Sequence, residues 1–494
     1  NGVHSIRTVI RDKGGNETEQ THYFTVKGEN AKHTTLSLEP ATTENPVLNK
    51  PYDLEIKTNR LEDLDEITTK IAIKKEFAQN YEIIWNEDFG KVEDSYNSAK
   101  GVLTLKGKRK TEAAVTGEGV VATIRLKMPS DVKKGTQLTY LVQSGQATYN
   151  SEKPEHYAKS FSTKKTSIEI IAPLTLKTDT MFVGMSGKIY VVDASGKAVE
   201  GAEIFNVDTK QSLGTTNADG YIETDALNQA VAMFSIYAKK GEDVSFILTD
   251  YSFAIAGNED GSPQYVMSHA SKDVNTQKSV TWFTDPFKSQ NKAIMQIATK
   301  ADFDANKEKA FKNVTGTTEL IKLDGSANVE DNHAFRLNSV IATGLSSGTA
   351  YVYRVGDGDK WSDLKSFTTP YKNKNVNFFV LGDIQTLDMD RTNRIADALM
   401  NNGIKYDFGL QTGDAVDNGA KFEYWDGIAN LYGELFNSLD MIHVFGNHEY
   451  EGDLTGDNSK AIYNIPSENN GDYYSFEYGN MYFAVINFTK DTNR

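Results

Sequence analysis

Three short blocks near the C-terminus carry the residues best suited to chemistry: Gly382-Asp383-Ile384-Gln385, Gly413-Asp414-Ala415-Val416-Asp417 and Gly446-Asn447-His448-Glu449. Each follows an apolar run that reads as a buried strand, over 376–381, 406–410 and 441–445. Open α/β sheets gather ligands at the carboxyl ends of their parallel strands. Three such loops, each with an oxygen or nitrogen donor beside a glycine, can converge on one point. A carboxylate able to bridge two cations, a second carboxylate, an amide oxygen and an imidazole suit a hard-metal or zinc site. Taken singly, each Asp reads as a turn residue; taken together, the constellation favours metal.

The elements that must position these loops form a β-α-β-α-β pattern. Residues 390–402 fit a helix with Ile395, Ala398 and Leu399 on one side and Gly403 ending it. Phe422, Trp425, Ile428, Tyr432 and Leu435 recur every three or four residues. That is a second amphipathic helix, with its aromatics as core rather than a substrate platform. Residues 473–488 read as a hairpin about a Gly479-Asn480 turn. His443, inside the strand before the third block, reads as a structural or strand-face residue.

The order of the blocks, and their spacing at 383, 414 and 447, resemble the calcineurin-like metallophosphoesterases. The resemblance implies two divalent metal ions (Zn, Mn, Fe or Ca) and hydrolysis of phosphomonoesters or diesters, nucleotides included. It assigns Asp383 to the first ion, Asp414 to the bridge and Asn447 to the second ion. His448 then orients the phosphate or protonates the leaving group. Two positions depart from the pattern. Gln385 stands where the family usually has His or Gly and is at best a weak ligand. Asp417 stands where purple acid phosphatases have their iron-binding Tyr, so no purple chromophore is expected and iron is not the default metal. Of the eight histidines none follows His448, whereas the family completes its metal shells with later imidazoles. Residues 371–494 therefore read as the N-terminal half of such a domain, and the chain by itself is expected to be inactive and to bind metal weakly.

Upstream, the patterns are all β. The stretch Gly344-Leu-Ser-Ser-Gly-Thr-Ala-Tyr-Val-Tyr-Arg-Val-Gly356, with Lys278-Ser-Val-Thr-Trp-Phe-Thr-Asp-Pro286 before it, resembles the fibronectin type III-like N-terminal domain of purple acid phosphatases over 251–370. Tyr351 and Tyr353 there read as an edge strand whose rings pack across strands, and Asp357-Gly358-Asp359 as a hairpin turn. Residues 173–250, with turns at Asp193–Gly196 and Asn217–Gly220, resemble a carboxypeptidase-regulatory-type β-sandwich. Residues 30–172 resemble a cohesin-like sandwich, carried by an alternating strand apolar at 120, 122, 124, 126 and 128. A spacer and a dockerin-binding module are both open for it. Residues 1–28 read as a hairpin closing an upstream Ig-like domain, with a turn at 12–16. The fold class is thus multidomain: several all-β sandwiches followed by an incomplete α/β, metallophosphoesterase-type domain.

Composition narrows the function classes. A formal charge of −15 argues against nonspecific nucleic-acid or anionic-lipid binding. The apolar runs are only strand length, so no membrane span is expected. Zero cysteines exclude disulfides and thiol chemistry. The expected setting is a secreted or cell-surface protein of Gram-positive type, acting on a phosphate ester, with a dockerin-type partner as a second expectation. The alternatives are a cohesin-based adhesion or scaffold protein and a degenerate phosphoesterase fold kept for binding.

Overall fold

The computed structural model describes residues 2–11, 17–26, 36–112, 116–149, 165–227, 233–323, 332–371, 375–385, 388–436, 439–465 and 473–487. These fall into two compact units, one of Asn1–Asp179, Lys188–Thr224 and Ser235–Thr249, the other of Thr180–Gly187, Asp225–Phe234 and Asp250–Arg494.

The first unit begins with an antiparallel pair, Gly2–Arg11 and Glu17–Val26; the turn expected at 12–16 lies outside the described residues. A β-sandwich follows. One sheet has five strands, in the order Thr166–Glu169, Gln137–Tyr149, Leu64–Ile73, Val102–Arg109 and Phe89–Asn97. The other has four: Leu36–Pro40, Pro51–Thr58, Gly119–Lys127 and Tyr81–Trp85. Their inner faces share one core that includes Ile56, Ile71, Leu105, Ile124 and Tyr140. The alternation expected from residue 120 holds only from Ala122 onward. Val121 is buried and Val120 half-buried, because a bulge opposite Ile56 and Lys57 shifts the register there. Further on, Asp193 Oδ1 accepts the amides of Ser195 and Lys197. Asn217 Oδ1 likewise accepts those of Asp219 and Tyr221. Both are Asx-type turns, closed by Gly196 and Gly220 at positive φ.

The second unit opens with its own sandwich. One sheet runs Lys312–Thr315, Ile294–Thr299, Ala350–Gly356, Lys365–Thr368. The strand with Tyr351 and Tyr353 is therefore an inner strand, paired on both sides, and not the edge expected for it. The cause is the partner Lys365–Thr368, whose Phe367 meets both rings at 5.5 and 5.7 Å. Asp357 Oδ1 accepts the amides of Asp359 and Lys360, so that segment is a turn. The facing sheet places His333–Ala342 between Thr317–Leu323 and Lys278–Thr284, and then Gln264–His269.

Three short parallel strands extend that second sheet: Asp440–His443, Phe408–Gln411 and Phe378–Leu381. They join it through Gln264–His269, which runs parallel to Asp440–His443 with His269 opposite Met441. The strand 264–269 thus belongs to both the sandwich and the α/β sheet. Helix Met389–Asn401 is capped by Asp388, whose side chain accepts the amide of Arg391. It buries Thr392 and Ala396, while Ile395 is 44% exposed and Ala398 is also exposed. Of the face expected to be inside, Leu399 packs partly buried against the core while Ile395 and Ala398 are turned outward, because the small Thr392 and Ala396 sit against the core in their place. Helix Phe422–Asn430 passes into a π-turn, Leu431–Leu435. Trp425, Ile428, Tyr432 and Phe436 are fully buried. A fully buried Phe contributes roughly 1.5–3 kcal/mol, so these rings are core, as expected. Tyr473–Tyr478 and Met481–Ile486 form the predicted hairpin about Gly479.

Candidate metal centre

All three blocks begin where the three parallel strands end, so their loops lie side by side at the carboxyl edge of the sheet. Backbone bonds join the first two. The amide of Asp383 donates to the Gly413 carbonyl at 3.1 Å, and that of Gln385 to the Asp414 carbonyl at 2.9 Å. Asp383, Gln385 and Asp414 have φ of 51°, 54° and 52°. Left-handed backbone costs a residue with a side chain roughly 1–2 kcal/mol, and three such residues in two adjoining loops mark a site held against local preference.

The second and third blocks are joined by Glu449, which is fully buried. Its Oε2 accepts the amides of Asp414 at 3.0 Å and Gly446 at 2.7 Å, and its Oε1 accepts that of Ala415 at 2.8 Å. Burial pushes this carboxyl up, against the pull of the three amides, and the Asp414 charge adds to the rise. Asp414 Oδ1 accepts the amide of His448 at 3.2 Å. A Cβ on Gly446 would lie 1.9 Å from Asp414 Oδ1, and one on Gly413 would lie 2.9 Å from the Gly446 nitrogen. The two loops therefore touch through glycines, and the carboxylate occupies the space a side chain at 446 would fill.

His448 is oriented through its ring. Its Nδ1 lies 2.7 Å from the carbonyl of Asp417. A carbonyl only accepts, so Nδ1 carries a proton and Nε2 is the ring position left for a substrate. Partial burial pulls its pKa down. The Asp417 carbonyl and the carboxylates of Asp414, Glu451 and Asp417 outweigh that and hold it above the ordinary value.

The structure thus brings Asp414 and His448 into direct contact and sets Asp383 and Gln385 in the adjoining loop. Asn447 is exposed and opens the single 3-10 turn His448–Tyr450. Among the described residues, no three His, Asp or Glu side chains are close enough to hold an ion by themselves. The donor set is two carboxylates and an amide oxygen from three loops, with the Asp414 carboxylate in a glycine cradle. That chemistry fits a hard divalent cation with water completing its shell. A cavity of about 290 Å³ beside the first block is lined by Asp383, Arg391, Ile395 and Phe436.

Sequence reasoning passed over two residues. Glu449 stands in the sequence only as the end of its block, since two of its three amide partners lie 34 and 35 residues away. His269 gave no signal, because its partner His443 lies 174 residues away.

Residues 376–490 match the calcineurin-like phosphoesterase family, and residues 263–369 match the purple acid phosphatase N-terminal domain. Among solved structures, a purple acid phosphatase from yellow lupin (Lupinus luteus) seeds is similar at 13% identity and TM-score 0.38, covering 63% of this chain and 66% of that one. PhoD is similar at 14% identity and TM-score 0.32, covering 48% of this chain and 54% of that one. The chain thus spans just under two thirds of the first and about half of the second. A cohesin module from a Clostridium perfringens family 33 glycoside hydrolase is similar at 6% identity and TM-score 0.22, covering 28% of this chain and 97% of that module. A search of curated proteins finds no match.

Proposed function

We propose that the three blocks form a two-metal phosphoesterase site that hydrolyses phosphomonoesters or diesters, nucleotides among them. Calcineurin-like phosphoesterases and purple acid phosphatases use dinuclear metal centres, and the residues here fit one. Asp383 would hold the first ion, Asp414 both, and Asn447 the second through its amide oxygen, with Gln385 contributing weakly. Such ions would supply activation of water and neutralisation of phosphoryl charge. The chain's own residues do the rest. Glu449 holds the loops in register by accepting their amides. His448, fixed through Nδ1, presents Nε2 to orient the phosphoryl group or to give a proton to the leaving oxygen. The observation that carries the reading is the Asp414 carboxylate seated against Gly446 and bonded to the His448 amide.

Two carboxylates and a neutral amide oxygen, with a weak contribution from Gln385, would hold the ions weakly, and hydrolysis by these donors alone is slow or absent. The setting we favour is a secreted or cell-surface protein of Gram-positive type, in which the cohesin-like sandwich takes a dockerin-type partner. The metals are zinc, manganese, iron or calcium. Titration of the chain with Mn²⁺, together with a chromogenic phosphate ester, tests the reading. Asp414→Asn should abolish whatever binding and turnover the native chain has, because it removes the carboxylate charge that both ions would share. An Asp414→Asn protein that binds Mn²⁺ like the native chain would overturn it.

A further inference from the structure

The buried pair His269 and His443 sits where the sandwich strand 264–269 meets the strand that delivers Asn447 and His448. Both rings are buried, at 1% and 2% exposure. His269 Nδ1 lies 3.2 Å from His443 Nε2, and His269 Nε2 lies 2.7 Å from Thr281 Oγ1. The protons in this chain of bonds can be assigned one by one. Thr281 donates its hydroxyl proton to the Ile462 carbonyl at 3.2 Å, so its oxygen accepts from His269 Nε2. His269 Nδ1 is then a bare acceptor, and His443 Nε2 must be its donor. His443 Nδ1 is left deprotonated, buried and, among the described residues, without a partner. Two neutral rings fill the chain. A second proton on His269 Nδ1 would face the N–H of His443, and one on His443 Nδ1 would find no acceptor.

The charged and titratable groups around the pair offer no relief. Lys278 begins the strand that carries Thr281, and it is paired to Asp440 at the foot of the His443 strand. Tyr463 stacks on His443 at 3.7 Å from the end of helix Asp457–Ile462, and Tyr432 lies at 5.3 Å on the π-turn. Tyr474 of the hairpin donates to the His443 carbonyl at 2.7 Å. Glu449 raises both Tyr432 and Tyr463 and bonds neither ring of the pair. A buried imidazolium here would have no carboxylate among the described residues to receive it.

We propose that His269 is a positioning residue for the phosphoesterase site: it ties the sandwich to the strand that presents Asn447 and His448, through a buried bond between two neutral rings that opens more often in mild acid. The consequence for catalysis rests on the function proposed above, but the coupling itself does not. Burial holds the His269 pKa down to about 3 and that of His443 well below the ordinary value, so entry of a proton requires opening. The opened state exposes rings that titrate near 6.5, and each unit of pH below that multiplies its population about tenfold per proton taken up.

Hydrogen exchange of the full chain, corrected for the intrinsic effect of pH, tests this. From pH 7 to pH 4.5, opening of 264–270 and 440–449 should rise together by at least tenfold, while the strands Leu64–Ile73 and Gln137–Tyr149 stay unchanged. His269→Asn should start less protected at pH 7 and show a smaller acid step, with one proton taken up on opening in place of two. Flat protection of both segments in the native chain, or an acid step of undiminished size in His269→Asn, overturns the proposal. Should that variant not fold, ¹⁵N-histidine spectra of the native chain decide. Two rings should remain neutral Nε2–H tautomers at pH 5, and either ring titrating near 6.5 in the folded protein overturns it. Exchange behaving as expected while Asp414→Asn binds Mn²⁺ normally would remove the phosphoesterase reading and leave the coupling standing.

Discussion

The carboxylate of Glu449 accepts the main-chain amide of Asp414 at 3.0 Å, across 35 residues of chain. With the amides of Ala415 and Gly446 on the same group, one side chain sets the distance between the second and third blocks.

Glu449→Ala should leave three amides without this acceptor, that of Ala415 buried and those of Asp414 and Gly446 part-buried. A buried orphaned donor costs about 1–3 kcal/mol, so a loss of at least about 1–3 kcal/mol is expected in urea unfolding of this unit. Glu449→Gln keeps one oxygen acceptor and should lose less. Mn²⁺ affinity should fall with both, by roughly 10- to 100-fold for the alanine variant, as when other supports of metal ligands are removed. Equal stability of the two variants would mean that the amides are satisfied in another way.

Gly446→Ala would drive a methyl into Asp414 Oδ1. Overpacking of this kind costs about 1–3 kcal/mol, and the carboxylate should rotate out of its cradle. The variant should fold, with a modestly lowered Tm, yet resemble Asp414→Asn in Mn²⁺ titration. Native-like binding by Gly446→Ala would show that the carboxylate is not held there.

Gln385 and Asp383 share a loop and nearly the same backbone conformation, so substitutions there separate ligand from scaffold. Asp383→Ala should remove most Mn²⁺ binding. Gln385→Ala should change it several-fold at most, since a neutral amide is the weaker donor. Titration calorimetry of the two variants side by side gives the order, and the reverse order would make Gln385 a primary ligand.

Lys278 is 2% exposed and bonds Asp440 at 2.5 Å, with the Phe367 ring 4.7 Å from its ammonium. Lys278→Met leaves a largely buried carboxylate alone and should destabilise by about 3–5 kcal/mol. Adding Asp440→Leu should recover most of that loss. A double variant no better than the single would mean that the pair does not act as a unit.

Acid should weaken the second unit in a direction set by His269. Its folded pKa, about 3, lies below the unfolded value, so the unfolded state binds the proton first. No stability is lost to this group above about pH 6.5, and the loss grows as pH falls from there toward 3. At pH 4.5 it amounts to about 2–3 kcal/mol. Urea midpoints at pH 7.5 and 4.5, compared between the native chain and His269→Asn, isolate this part from the carboxylates.

Local patterning made the strands, both helices and the three blocks legible, because alternation, helical periodicity and glycine-flanked acids are written within a few residues. What escaped depended on distant partners. The orientation of helix Met389–Asn401 turned on which face met the core, and Ile395 looked the better buried residue only while the core was unknown. The inner position of Tyr351 required a later strand to pair with it. At the site, Asp383, Asp414 and Asn447 were visible as donors, whereas the service of Glu449 to three amides, two of them more than 30 residues away, follows from folding and not from spacing.

The strand Gln264–His269 lies inside one matched family segment by sequence and inside the other's sheet by hydrogen bonding. Heredity would feel this. A recombination event that moved residues 376–490 into a new protein would carry away every donor of the proposed site, yet strip the neighbour from the strand that holds Asn447 in place. The two segments would therefore be expected to travel through evolution as one cassette, with crossovers tolerated upstream of residue 264 and selected against between 270 and 376.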